Sequence, residues 1–257
     1  ALDIKPDLLD AQRGLMVLAM DAKRYDEAVV IARSIQKQRP KDPNGYMFEG
    51  DIAASQRKWD AAADVYRNGL KQAPATVLAA KLHTAYRSAG KTADMDKFAA
   101  SWMKDNPKDV AFRLFLADAS ASVRDYTNAE KMYLNVIQID PNNHVTLNNL
   151  AWVSGKLNRD NAIGLAEKAV ALSPSQPAYL DTLAMLYSDK NNYAKALDWQ
   201  TKALALAPQA SIFKLNLAKI HIKGGKKDLA RKELDELAKL GDKFAGQAEV
   251  ATLLKGL

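Results

Sequence analysis

The stretch AYRSAGKT, residues 85–92, holds the residues best placed to handle a phosphate. Gly90, Lys91 and Thr92 close the pattern Gly, four residues, Gly, Lys, Ser/Thr, with Ala85 where the first glycine would stand. In a phosphate loop the glycines turn backbone N–H groups toward the anion and the lysine adds positive charge, between a strand and a helix N-terminus. The residues ahead of Gly90, TVLAAKLHTAYRSA, are helical in pattern instead, so Ala85 and Tyr86 fall inside a helix. Gly90 then reads as the glycine that ends this helix, with Lys91 beside its negative end, and no nucleotide is expected.

Other chemistry is equally thin. His83, His144 and His221 lie 61 and 77 residues apart, without the close spacing of a metal site. His83 and His221 fall on the packing stripes of their helices, and His144 opens a helix after DPNN. There is no Gly-x-Ser-x-Gly, no His-Glu-x-x-His and no dinucleotide fingerprint after a strand. Catalytic residues, cofactors and metals are therefore all expected to be absent. With no cysteine, disulfides, thiolate ligands and a cysteine nucleophile are excluded, and the redox compartment stays open.

The elements that would position any site come from the bulk pattern. The chain has 257 residues, 48% hydrophobic and 26% charged, the composition of a folded soluble protein. The longest apolar runs, such as LAMLY and ALALA, are far shorter than the roughly 20 residues that span a bilayer. A net charge of +7 is spread over 37 basic and 30 acidic residues, a weak nucleic-acid signal. The opening ALDIKP carries no readable targeting peptide.

A repeat organises the whole chain. Pro6, Pro40, Pro74, Pro107, Pro141, Pro174 and Pro208 follow at steps of 34, 34, 33, 34, 33 and 34 residues. Ala28, Ala62, Met95, Ala129, Ala162, Ala196 and Ala230 keep the same ruler, with an aromatic three places earlier at Tyr25, Trp59, Tyr126 and Tyr193. Within the units the apolar spacing is helical: Leu147, Leu150, Ala151 and Ser154, then Leu180, Leu183, Ala184 and Tyr187. Small residues recur midway along the first helix at Gly50, Thr84, Ala117, Ala151, Ala184 and Ala218. No alternating strand pattern appears.

A helix-turn-helix unit of this length, with a Leu/small pair, a small residue in the second helix and a closing proline, resembles the tetratricopeptide repeat. The resemblance implies an all-α fold, a right-handed superhelical α-solenoid of about seven repeats plus a C-terminal capping helix. The units are expected at 9–42, 43–76, 77–109, 110–143, 144–176, 177–210 and 211–243. Met16, Glu49 and His83 depart from the family's pattern. Residues 1–8 match the end of a preceding truncated repeat, because ALDIKP parallels ALALAP at 203–208; a longer array is expected upstream. Residues 244–257 are expected as the capping helix, with Phe244, Ala248, Ala251 and Leu254 as its apolar stripe, ending the array. The interval from Arg87 to Met95 is one residue shorter than its counterparts, so SAGKT is expected to be a tightened turn.

In such a solenoid the first helices line a concave groove. At about 100° per residue, Asn148, Asn149 and Trp152 point away from the packing stripe of their helix. One repeat on come Asp181, Thr182 and Met185, then Leu215, Asn216 and Lys219. The binding residues expected are thus Asn148, Asn149, Trp152, Asp181, Thr182, Met185, Asn216 and Lys219. Trp152 either anchors a partner or packs on the neighbouring unit. The asparagines suit an extended peptide backbone. The Lys/Asn/Arg carboxylate clamp of co-chaperone relatives is not reproduced.

The function expected is a non-catalytic scaffold whose partner is a protein or an extended peptide segment, not a nucleotide or nucleic acid. Two alternatives are a region that regulates or recruits substrates for an enzyme encoded outside this sequence, and a helical-repeat RNA binder. More narrowly, LNNLAWVSGK followed by AEKAVALSPSQPAYLDTLAMLY resembles the C-terminal part of bacterial tetratricopeptide lipoproteins associated with exopolysaccharide loci and the exosortase/PEP-CTERM system. That resemblance implies a cell-envelope location, periplasmic or outer-membrane, with membrane attachment only through a lipid anchor outside this sequence; without it the location expected is cytoplasmic.

Overall fold

The structure is a computed structural model that describes residues 8–257, so the expected remnant of a preceding repeat lies outside the described residues apart from Leu8. The chain divides into two compact units, with the boundary along the sequence between Phe115 and Leu116. In the first, α1 (Leu9–Asp21) pairs with α2 (Tyr25–Gln38), α3 (Pro43–Ser55) with α4 (Trp59–Gln72), and α5 (Thr76–Ser88) with α6 (Thr92–Asp105), before α7 (Val110–Ser122) begins. The second continues through α8 (Tyr126–Ile139) to the pairs α9 (His144–Lys156) and α10 (Ala162–Leu172), α11 (Pro177–Asp189) and α12 (Tyr193–Leu206), and α13 (Ser211–Lys223) and α14 (Lys227–Ala238). A 3-10 turn at Gly241–Lys243 leads into α15 (Gln247–Lys255). No strand occurs among the described residues, and none of their helices is long and apolar enough to cross a membrane. The architecture is all-α, of the α-solenoid class.

Local chemistry explains where several helices start and where the second helices stop. Asp42, Asn143, Asp125 and Asn192 cap helix N-termini by accepting from the backbone N–H of Asn44, Thr146, Asn128 and Lys195. Pro43 and Pro177 occupy first-turn positions, where a missing N–H costs nothing. The proline series has one structural role: Pro40, Pro74, Pro107, Pro141, Pro174 and Pro208 each stand two residues beyond a second helix, which they prevent from continuing.

The turn inside each hairpin is also repeated. Lys23, Arg57, Gly90, Arg124, Asn158, Asn191 and Gly225 all have positive φ, from 56° to 75°. After each, the next residue's N–H reaches the carbonyl five residues back, as Arg24 does to Ala19 at 2.8 Å and Lys91 to Tyr86 at 2.9 Å. These are Schellman ends, which satisfy carbonyls that the helix leaves open. Gly90 is therefore a helix-ending glycine in a turn of the same form as its six counterparts.

This corrects the expectation that SAGKT is tightened. The link between α5 and α6 has the same three residues as that between α1 and α2, whereas the link between α4 and α5, residues 73–75, is one shorter than residues 39–42 between α2 and α3. The missing residue lies after Pro74. The second short step does fall inside its hairpin, where Asn158 and Ala162 are one residue closer than Asn191 and Ala196. The same register puts His83, not Thr84, at the small-residue place of the third hairpin. His83 is buried, edge-on to Phe112 and Phe115 at 6.4 and 5.3 Å, while the Thr84 hydroxyl bonds Ala80 O on its own helix.

Each unit has its own core. In unit 1, Met16, Ala19, Ala28, Ala32, Ile35, Phe48 and Ile52 form one cluster and Tyr46, Tyr66, Leu78 and Leu82 centre another. In unit 2, Leu147, Ala166, Leu180, Leu183, Ala196, Ala203 and Ile220 share a core, followed by Leu215, Leu234 and Val250. The small residues of the second helices are buried, as close helix approach requires. In α15 the stripe differs from expectation: Ala248 and Ala251 are exposed, and Val250, Leu253 and Leu254 face the core with Phe244, which lies before the helix. The 3-10 turn shifts the helical register away from the one read from spacing alone.

Candidate functional site

A cavity lies within unit 2, where α9, α11 and α13 stand side by side and α15 closes one end. It measures about 480 Å³ and is open to solvent. Trp152, Gly155 and Lys156 come from α9, then Asp181, Thr182, Met185, Leu186 and Asp189 from α11. Asn216, Lys219, Ile222 and Lys223 follow from α13, and Glu249 and Leu253 from α15. The helix pattern explains the columns: Trp152, Met185 and Lys219 each stand six residues before their left-handed turn residue, and Lys156, Asp189 and Lys223 stand two before it, one helical turn further on.

Trp152 packs on its neighbour and also borders the cavity. Its indole meets Tyr126 edge-on at 5.5 Å, so it packs on the preceding hairpin, yet it stays 40% exposed on the cavity wall. Lys156 places its Nζ 5.5 Å from the ring centre, a cation–π contact that leaves the ammonium in water. Met185, Leu186, Ile222 and Leu253 extend the apolar wall. Two ion pairs cross it, Lys219 to Glu249 at 2.7 Å and Lys223 to Asp189 at 2.5 Å. Pairs this exposed contribute little and yield readily to an incoming charged group.

Asp181 is the half-buried carboxylate of the site. Its carboxylate accepts from Gln200 Nε2 at 2.6 Å and from Asn216 Nδ2 at 3.0 and 2.9 Å. Burial raises its pKa, while the bonds from Asn216 and Gln200 and the charge of Lys219 act in the opposite sense. Gln200 also donates to Phe213 O at 2.9 Å, so the cluster ties α11, α12 and α13 together.

Six of the eight residues expected from sequence line this one cavity: Trp152, Asp181, Thr182, Met185, Asn216 and Lys219. Asn148 and Asn149 do not. Asn148 is buried and its amide donates to Asn149 Oδ1, while Asn149 reaches toward Asp118 on α7. Asn216 is also buried, with its amide committed to Asp181, and Leu215 is fully enclosed. The amides of Asn148 and Asn216 are therefore not free donors for a peptide backbone: each is buried and bonded to another side chain, although Asn216 still borders the cavity. Thr182 spends its hydroxyl on Ala178 O. Glu249 and Leu253 were not foreseen, because nothing in the repeat tells where a helix outside it will lie. Lys156, Asp189 and Lys223 could have been found by adding one helical turn to the Trp152 column.

The same bridging recurs toward the N-terminus. Asp51 receives the Tyr66 hydroxyl at 2.6 Å and Lys81 at 2.8 Å, and Asp118 receives the Tyr133 hydroxyl and the Asn149 amide. Burial and the adjacent carboxylate push both tyrosines well above their ordinary pKa. These carboxylates join a hairpin to the next. Among the described residues, no group of three metal-ligating side chains comes together.

Stacked helical hairpins with a repeated Schellman turn define a repeat-scaffold class of protein. The sequence profile of the tetratricopeptide repeat matches residues 14–76 and 182–248, together just over half of the chain, and the chain belongs to that family. No curated protein matches it in sequence. Among solved structures, a tetratricopeptide repeat protein from Parabacteroides merdae is similar at 15% identity and a TM-score of 0.60, over 96% of this chain and 97% of that one. PilF of Pseudomonas aeruginosa is similar at 16% identity and a TM-score of 0.60, over 84% and 99%. A chain of the APC/C hetero-tetramer Cut9–Hcn1 is similar at 15% identity and 0.61, over 99% of this chain and 50% of that one. At these identities the likeness is one of fold.

Proposed function

We propose that the chain is a non-catalytic scaffold that binds protein, and that the cavity between α9, α11, α13 and α15 takes an extended peptide segment. The observation that carries this is the exposed indole of Trp152 on an open wall that sets Met185, Leu186, Ile222 and Leu253 among charged side chains and is crossed by exposed ion pairs. An apolar side chain seated there removes area from water on both partners, worth about 25 cal/mol per Å². The chain similar in fold within Cut9–Hcn1 belongs to a protein assembly, which supports a protein partner here. A displayed library of random peptides, panned on the intact chain and on the W152A/M185A variant, tests the reading. Peptides enriched on the native chain should lose binding on the variant while its helicity is unchanged; equal retention by both removes the cavity from the account.

We further propose an envelope accessory role in exopolysaccharide production or sorting of PEP-CTERM proteins, supported by the sequence resemblance around residues 147–187. Fractionation of the native host tests it: recovery with the envelope is expected, and recovery in the cytosol contradicts it.

A further inference from the structure

Unit 2 carries an exposed aliphatic row that unit 1 lacks. The repeat fixes its places: Ile139, Leu172 and Leu206 are the last residues of α8, α10 and α12, each two before a proline, and Leu240 stands fifteen after Gly225, as Leu206 does after Asn191. All four are between 38% and 50% exposed, in four successive hairpins. At the corresponding places unit 1 holds Gln38, Gln72 and Asp105, so the packing of the repeat does not require an aliphatic side chain there. A lone exposed leucine is ordinary, whereas a contiguous apolar patch marks an interaction site. The stretches that follow the row extend it. Residues 139–145, 172–178 and 206–212 lead from each second helix into the first helix packed against it, and they add Val145 and Ile212, both exposed. Asp140 is the one Asp, Glu, Lys or Arg among them, against three in each of the stretches 38–44 and 105–111 of unit 1. Lys168 and Lys202, one helical turn before Leu172 and Leu206, are already committed, to Pro141 O at 2.8 Å and to Asp198 at 2.8 Å. Beside Leu240, Lys239 and Lys243 flank Asp242 in sequence.

We propose that this edge of unit 2 is the surface through which two copies of the chain pair. Three observations choose a second copy over other occupants. The edge offers no run of cations to a phosphate-bearing partner and no run of carboxylates to a basic one, while two uncharged faces meet without like-charge repulsion. Its aliphatic side chains recur one hairpin apart with uncharged links between them, so the complementary surface needs the same period. A copy turned about a twofold axis has that period and sets its own row against those links. Three stretches of seven residues also match the roughly 20–30 residues a side of a standard interface. None of the four residues of the row lines the cavity beside Trp152, so the pair leaves both cavities open.

Sedimentation velocity over a concentration series tests this on the intact chain, on L172Q/L206Q, which installs the residue that unit 1 carries at Gln38 and Gln72, and on V30Q, a control at an exposed place on α2 of unit 1. The native chain and V30Q should pass from monomer to dimer at about 1–100 µM, and L172Q/L206Q should associate at least about tenfold more weakly. Circular dichroism of the dilute chains should give one helicity and one melting curve for all three, because the substituted side chains are exposed, so that a lost dimer reports the contact rather than unfolding. A native chain that stays monomeric at about 100 µM, a dimer that L172Q/L206Q leaves intact, or one that V30Q disrupts as strongly overturns the proposal. So does a monomeric native chain that floats with vesicles of phosphatidylglycerol and loses them on L172Q/L206Q, which would assign the edge to a lipid surface.

Discussion

Replacing Gly50 with alanine separates helix propensity from packing. Gly50 lies in the interior of α3, where alanine is favoured over glycine by about 1 kcal/mol. Its missing side chain is where the ring of Tyr66 sits: an added Cβ would lie 2.1 Å from Cε1 and 2.6 Å from Cδ1 and Cζ. Tyr66 is 2% exposed and its hydroxyl is held by Asp51 at 2.6 Å, so the ring has no free direction of retreat. Overpacking costs about 1–3 kcal/mol. Disturbing a hydrogen bond to a charged group costs about 1.5–3 kcal/mol more. Set against the propensity gain, G50A should destabilise unit 1 by about 1.5–5 kcal/mol, or roughly 3–20 °C of melting temperature for a chain of this size. Gly14 supplies the control, being interior to α1 with nothing within 4 Å of an added Cβ. G14A should stabilise by up to about 1 kcal/mol. Far-UV circular dichroism melts, with amide exchange read in α3 and α4, make the comparison. A G50A chain that melts at or above the native one refutes the close approach of α3 and Tyr66.

The Schellman turns predict opposite effects of glycine by position. Arg57 and Arg124 hold φ of 58° and 63°, a left-handed backbone costing a residue with Cβ about 1–2 kcal/mol, so R57G and R124G should each stabilise by roughly 0.5–1 kcal/mol in urea titrations, while G90A should destabilise. His83 predicts a pH dependence. Burial, with help from Arg87 and against Asp96, lowers its pKa from 6.5 to about 4. Between these values the unfolded chain binds a proton that the folded chain refuses, so the contribution of His83 is complete above pH 6.5 and is lost as pH falls to about 4. The loss is on the order of 3 kcal/mol at most, and the H83L variant should lack that part of the slope in denaturation followed across the range.

The repeat was legible in the sequence because one physical need recurs in it. A proline follows each second helix from α2 to α12, a small residue lets all of these but α6 approach their partners, and both therefore keep one ruler. The seven left-handed turn residues keep it too, although Lys23, Arg57 and Arg124 hide the signal that glycine or asparagine gives elsewhere. What spacing could not give was anything set between helices. A helical wheel puts Asn148, Leu215 and Asn216 away from their own packing stripe, but only the neighbouring hairpin decides what they meet. The shortened step was assigned to SAGKT because the count between Arg87 and Met95 did not distinguish a short turn from a shifted register. Glu249 and Leu253 reach the cavity from outside the repeat, on a helix displaced by the 3-10 turn at Gly241.

The central claim is that a peptide binds against Trp152 and Met185. The dissociation constant of a peptide selected on the native chain, measured by fluorescence anisotropy on that chain, on W152A, and on a control with the exposed outer residue Val30 changed to alanine, tests it most directly. Loss of a buried aromatic anchor costs about 2 kcal/mol or more. W152A should therefore weaken binding by about 30-fold, with V30A unchanged. Binding to W152A within about twofold of the native value would contradict the account.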